Sequence, residues 1–153
     1  MPIVFIICSN CLSNLKYSLK DNFDDLFIPP VDTYPEQVRS DIKDYLNSFS
    51  ERVIVGRAQF DYYKTLSTNN HLMLSAGIFE EMFNGYGFEY LNFDIERNYA
   101  FGFEAFHVYK RDYDLRFGTL DYETTTAFLN FYYRNHRIVP FDLHISHGKY
   151  LAG

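Results

Sequence analysis

Residues 85–118, GYGFEYLNFDIERNYAFGFEAFHVYKRDYDLRFG, decide how this chain is read. At Gly85 the apolar spacing shifts from a period near 3.6 to a period of 2. Leu91, Phe93 and Ile95 alternate with Asn92, Asp94 and Glu96; Phe101, Phe103 and Ala105 with Gly102 and Glu104; Tyr113, Leu115 and Phe117 with Asp114 and Arg116. Strict alternation places one set of side chains on each face of a strand. Arg97-Asn98 and Lys110-Arg111-Asp112 supply the breaks between runs, so an antiparallel meander over about residues 88–118 is expected, with one face dense in aromatics.

Upstream, Pro2 to Cys8 is a continuous apolar run with β-branched residues and predicts a buried strand, after which Ser9 or Asn10 caps a short helix bearing Leu12, Leu15 and Leu19. Thr33-Tyr34-Pro35-Glu36 has the form of a capping box, and Val38, Ile42, Tyr45, Leu46 and Phe49 follow at helical spacing. Arg52 to Arg57 reads as a short strand. Asn69 or Asn70 then caps a helix carrying Leu72, Ala76, Phe79 and Phe83 and stopped at Asn84-Gly85. Downstream, Asp121 to Tyr133 predicts a helix weakened by Thr124-Thr125-Thr126, and Ile138 to Ser146 a last strand. Three or four helices packed on an antiparallel sheet, with the two terminal strands in that sheet, make an α+β fold, and the absence of a linker or repeat makes residues 1–153 one domain.

Composition supports a packed chain. Of 153 residues, 47% are hydrophobic, and 16 Phe and 14 Tyr provide ample area to bury. Lys and Arg number 14 against 20 Asp and Glu, a net charge of −6. So acidic a chain disfavours direct nucleic-acid binding and favours a basic protein partner. The apolar start is too short to cross a membrane and has no cleavage signature, so neither insertion nor secretion is expected. Two cysteines cannot build a disulfide framework, and a cytosolic location follows.

Cys8-Ser9-Asn10-Cys11 lies between the first strand and the first predicted helix, where amide donors would stabilise a thiolate. With Ile138-Val139-Pro140 and the glycine-bearing end Gly148 to Gly153, this opening resembles that of glutaredoxins. The resemblance implies thiol–disulfide exchange with Cys8 attacking, Cys11 resolving and Pro140 as a cis-proline beside them. Two inert, buried cysteines are the competing reading. A second alternative adds His144 and His147 to Cys8 and Cys11, a donor set suited to tetrahedral Zn²⁺ in a structural or binding domain, although residues three apart on a strand point to opposite faces. Asp142, His144 and Ser146 share a face without a second hydrolytic motif, and Gly85-Tyr86-Gly87 lacks the rest of a phosphate loop.

With no complete catalytic signature, the favoured function is a non-catalytic, cofactor-free acidic interaction protein, a viral or mobile-element inhibitor that mimics nucleic acid before a basic host protein. Its expected contacts are Asp24, Asp25, Asp41, Asp44, Glu80, Glu81, Asp112 and Asp114. Surplus tyrosine suits a protein interface, and a homodimer stays open.

Overall fold

The period-2 pattern extends far beyond the stretch that announces it. The computed structural model describes residues 3–8, 11–17, 41–48, 53–94, 96–135 and 141–151. They form eight strands and a single helical turn and a half: β1 (Ile3–Cys8), β2 (Cys11–Tyr17), α1 (Ile42–Asn47), β3 (Val53–Ser67), β4 (Asn70–Ile78), β5 (Phe83–Phe93), β6 (Tyr99–Arg111), β7 (Thr119–Asn135) and β8 (Phe141–Lys149). All eight strands belong to one sheet in the order β1 to β8, each antiparallel to its neighbours in sequence. The α+β expectation is therefore corrected to an antiparallel meander.

The corrections share a physical cause. The segment expected as a helix from Asn70 is β4, because Leu72, Leu74, Ala76 and Ile78 form a period-2 set opposite Tyr90, Phe88, Tyr86 and Asn84 of β5. The segment from Asp121 to Tyr133 is β7, where β-branched and aromatic residues fit a pleated surface better than a helical one. Cys11 to Tyr17 is a strand paired back on β1, with Cys8 directly opposite Cys11, so the strand-to-helix opening of a thiol exchanger is replaced by two antiparallel strands. The capping-box helix survives among the described residues only as α1. The third alternating run, Tyr113 to Phe117, is a turn; Leu115 adopts a positive φ of 55° there and is buried.

Register divides the side chains into two sets. From β3 to β8 one face, here the outer face, carries among others Phe60, Tyr62, Leu72, Leu74, Phe88, Phe103, Leu129 and Ile145. The other, inner face carries Gln59, Asp61, Ser75, Glu89, Glu104, Thr126, Asn130 and His144. Exposure runs opposite to the usual rule. On the outer face Leu129 is 62% exposed, Phe60 54% and Ile145 53%, whereas inner Gln59 and Ser75 are 7% and 4% exposed. Burial of the inner polar groups is tolerated because they are bonded to one another: Arg57 donates to Gln59 Oε1 at 2.6 Å, Gln59 Nε2 donates to Asp61 Oδ1 at 2.6 Å, and the Ser75 hydroxyl donates to the same carboxylate oxygen.

One end of the inner face is filled. Tyr45 of α1, Ile54, Met82, Phe83, Val108, Leu115 and Leu151 form the apolar cluster there. Arg111, fully buried at 0% exposure, ties it together: Nη1 donates to the carbonyls of Val55 (3.0 Å) and Glu81 (3.1 Å), Nη2 to those of Leu115 (2.5 Å) and Arg116 (2.9 Å), and its own carbonyl accepts the Tyr45 hydroxyl.

Candidate functional site

Away from that plug the inner face opens into a groove of about 730 Å³ among β5, β6, β7 and β8. Each wall residue is placed by strand alternation. Glu89 of β5 lies directly opposite Glu104 of β6, and Gly102, two residues along β6, pairs with Asn130 of β7. Next along β7, Tyr132 pairs with His144 of β8; their rings stack at 4.5 Å between centroids and 10° between planes, and His144 Nε2 is 3.0 Å from Asn130 Oδ1. Arg134 closes the rim through a two-pronged ion pair with Asp142, at 2.8 and 3.1 Å. Arg97, at the β5–β6 turn, is paired with Asp94 at 3.1 Å. Both rim guanidiniums are thus neutralised locally.

Gly102 forms the floor. A Cβ there would meet Asn130 Cβ at 3.4 Å and Tyr132 Cε2 at 3.6 Å, ordinary contacts that need no glycine. At Gly85, by contrast, a Cβ would overlap the carbonyl oxygen of His107, so glycine is sterically required.

The acidic residues singled out from the sequence gather elsewhere. Asp24 and Asp25 lie outside the described residues. Asp41, Asp44, Glu80, Glu81, Asp112 and Asp114 come to the plugged end, where several have structural duties. Asp41 binds Lys110 Nζ at 2.7 Å and accepts the Tyr113 hydroxyl at 2.7 Å. Glu81 is ion-paired with Lys16, and the carboxylates of Asp112 and Asp114 accept the backbone amides of Tyr113 and Arg116. That bond from Tyr113 to Asp41, with burial adding to it, pushes the Tyr113 phenol up to about 12; burial is the main cause raising that of Tyr45 further.

Among the histidine and cysteine candidates, His144 faces the groove while His147 lies on the outer face opposite Leu129. Cys8 and Cys11 belong to β1 and β2, separated from β8 in strand order by β3 to β7, and Pro140 lies outside the described residues. Among the described residues no group of three or more His, Cys, Asp or Glu is placed to hold a metal ion, and no helix is long and apolar enough to cross a membrane, which leaves membrane-crossing strands unaddressed. The groove residues Glu89, Gly102, Glu104, Asn130 and Tyr132 were not singled out by sequence reasoning. The available signal was their shared parity in consecutive strands.

The long up-and-down sheet, with a largely apolar outer face and an inner face that carries both a bonded polar network and the apolar plug, defines a class: the antiparallel β-meander proteins. Residues 9–153 match the family described as "YjbH: Exopolysaccharide biosynthesis protein YbjH", and the chain belongs to that family. The "Uncharacterized lipoprotein YjbH" of Escherichia coli (strain K12) is 30% identical over 146 residues, covering 92% of this chain and 20% of its own length. The chain therefore spans about one fifth of that relative. No solved structure matches it. These findings overturn the viral inhibitor and nucleic-acid mimic, which were inferred from net charge, surplus tyrosine and the lack of a catalytic signature. The cytosolic assignment falls as well: it rested on two cysteines too few for a disulfide framework and on a short apolar start without a cleavage signature, and the E. coli relative is described as a lipoprotein.

Proposed function

We propose that this chain is a membrane-facing wall of an envelope protein that serves exopolysaccharide production, its outer face against lipid acyl chains and its inner face lining a water-filled space. The observation that carries this reading is the inverted burial: leucines, phenylalanines and an isoleucine exposed on one face, glutamine, serine and threonine sheltered on the other. In water such a face would be a large aggregation-prone patch; in a bilayer it is the ordinary surface of a spanning strand.

Dimensions agree. On the outer face of β5, Asn84 and Asn92 bracket Tyr86, Phe88 and Tyr90. Eight residues span roughly 27 Å along a strand before any tilt, close to the ~25 Å apolar band of an outer-membrane sheet. On neighbouring strands polar side chains stand at the same limits, Asn70 in the row of Asn92 and Glu123 in the row of Asn84, while Lys64 and Lys149 end the rows of Tyr90 and Phe88 on the flanking strands β3 and β8. Tyrosines sit near these limits, at Tyr86, Tyr99, Tyr109 and Tyr133, where a ring with a polar tip suits an interface. A sheet in lipid cannot leave backbone groups unpaired, so the end strands β1 and β8 have to be joined to each other or to further strands of a longer protein.

The test is positional. In a background with Cys8 and Cys11 changed to serine, single cysteines at Leu74, Phe103 and Leu129, and at Ser75 and Asn130, carry an environment-sensitive dye in phosphatidylethanolamine/phosphatidylglycerol vesicles. Outer positions should emit blue-shifted and be quenched by lipids brominated on their acyl chains, and inner positions should not. Equal emission and quenching on both faces refutes the proposal.

A further inference from the structure

The groove has three properties that together specify a ligand. Its floor is a glycine that neither backbone conformation nor packing demands, since a Cβ at Gly102 would make ordinary contacts with Asn130 and Tyr132. Its aromatic wall, Tyr132, has one ring face against His144 and is 38% exposed, leaving area for a flat apolar surface. Its polar wall, Glu89 opposite Glu104, offers carboxylate acceptors, and among the described residues the guanidiniums nearby are engaged elsewhere, Arg97 by Asp94, Arg134 by Asp142 and Arg57 by Gln59. Asn130 adds an amide close by.

A pyranose presents what these groups lack: a C–H face for the tyrosine ring and hydroxyl donors for carboxylates and amide. Charge selects among sugars. Two uncompensated carboxylates repel a uronate, so an uncharged glycan is the complementary partner.

We propose that the groove binds a chain of uncharged pyranoses, with Tyr132 as the stacking platform, Glu89 and Glu104 as hydroxyl acceptors and Gly102 as the floor that admits the ring. This rests on the preceding reading only in requiring the inner face to be sheltered from lipid. Glu89 and Glu104 bind the sugar in this scheme; no bond is made or broken.

The experiment titrates the full chain, in detergent micelles with EDTA present, with cellohexaose, maltohexaose and laminarihexaose, and separately with hexagalacturonate, by isothermal calorimetry. At least one neutral hexaose should bind and the uronate should not. Gly102→Leu, which fills the floor, and Tyr132→Ala, which removes the platform, should each weaken binding at least tenfold with strand content unchanged by circular dichroism. If Gly102→Leu loses strand content, Tyr132→Ala decides. Glu89→Gln with Glu104→Gln should narrow the discrimination against the uronate. Binding of none of the neutral hexaoses, binding indifferent to both variants, or uronate binding as tight as neutral binding overturns the inference. The dye positions in vesicles read the membrane proposal independently: blue-shifted outer labels with no saccharide binding sink the groove alone, whereas outer labels that report water sink the wall itself.

Discussion

Replacing Leu129 by arginine places a charge on the outer face one row from the centre of the band, in the row Lys64, Leu72, Tyr90, Phe103, Leu129, His147. Leu129 is 62% exposed, so in a water-soluble protein the substitution would change stability by no more than about 0.5 kcal/mol. Facing acyl chains, an arginine at the midplane of a spanning sheet costs about 2–4 kcal/mol. At ~1.4 kcal/mol per factor of ten, that is a loss of about 30- to 700-fold in the folding equilibrium. The comparison variant is Glu123→Arg, on the same face of β7 in the row of Asn84 at the limit of the band, where an arginine should cost about 0–1 kcal/mol. Urea unfolding of both variants in phosphatidylethanolamine/phosphatidylglycerol vesicles, followed by far-ultraviolet circular dichroism, gives the difference directly. A Leu129→Arg penalty below about 0.5 kcal/mol, or one equal to that of Glu123→Arg, would refute the lipid-facing assignment, since only a medium that excludes charge makes position on this face matter.

Three further outcomes test the frame around the groove. Arg111→Lys should destabilise the protein by about 2–4 kcal/mol in the same unfolding assay, because one ammonium cannot reach the carbonyls of Val55, Glu81, Leu115 and Arg116 that the guanidinium spans. Gly85→Ala should cost about 1–3 kcal/mol through overlap with His107, while Gly102→Ala should stay within about 0.5 kcal/mol; equal penalties would show that Gly102 is structural. The Tyr113 phenol titrates near 12 in the folded chain against 10.0 unfolded, so its contribution is intact below pH 10 and lost as pH rises from 10 through 12. Tyr113→Phe should flatten the stability decline across that window, and an unchanged slope would remove Tyr113 and Asp41 from the account.

What was legible in the sequence follows from where apolar and polar residues truly alternate. Leu91 and Phe93, and Phe101 to Ala105, alternate cleanly with polar or small neighbours, and they mark β5 and β6 in the expected antiparallel pairing. Ile3 to Cys8 and Val53 onward were also recognisable as strands. In β4, Leu72 and Ala76 satisfy both a helical and an extended stripe, and the period alone could not choose. In β7, Phe128 and Tyr132 on the inner face interleave with Leu129, Phe131 and Tyr133 on the outer, so aromatics on both faces erase the alternation. The site was hidden by a reversed solvent assumption. Taking apolar side chains as interior and carboxylates as surface directed attention to Asp41, Asp112 and Asp114, which hold the plug and its turn, and away from Glu89 and Glu104, which line the sheltered side.

Among the described residues each strand pairs with the strands before and after it in the chain, so each of these ladders closes a short loop. Appending or excising two strands at either terminus would leave all other pairings and both face assignments untouched, since two strands restore the original direction of travel. A sheet of this connectivity can therefore change width by duplication of a single hairpin, a quantity that gene-level copying adjusts in steps of two strands.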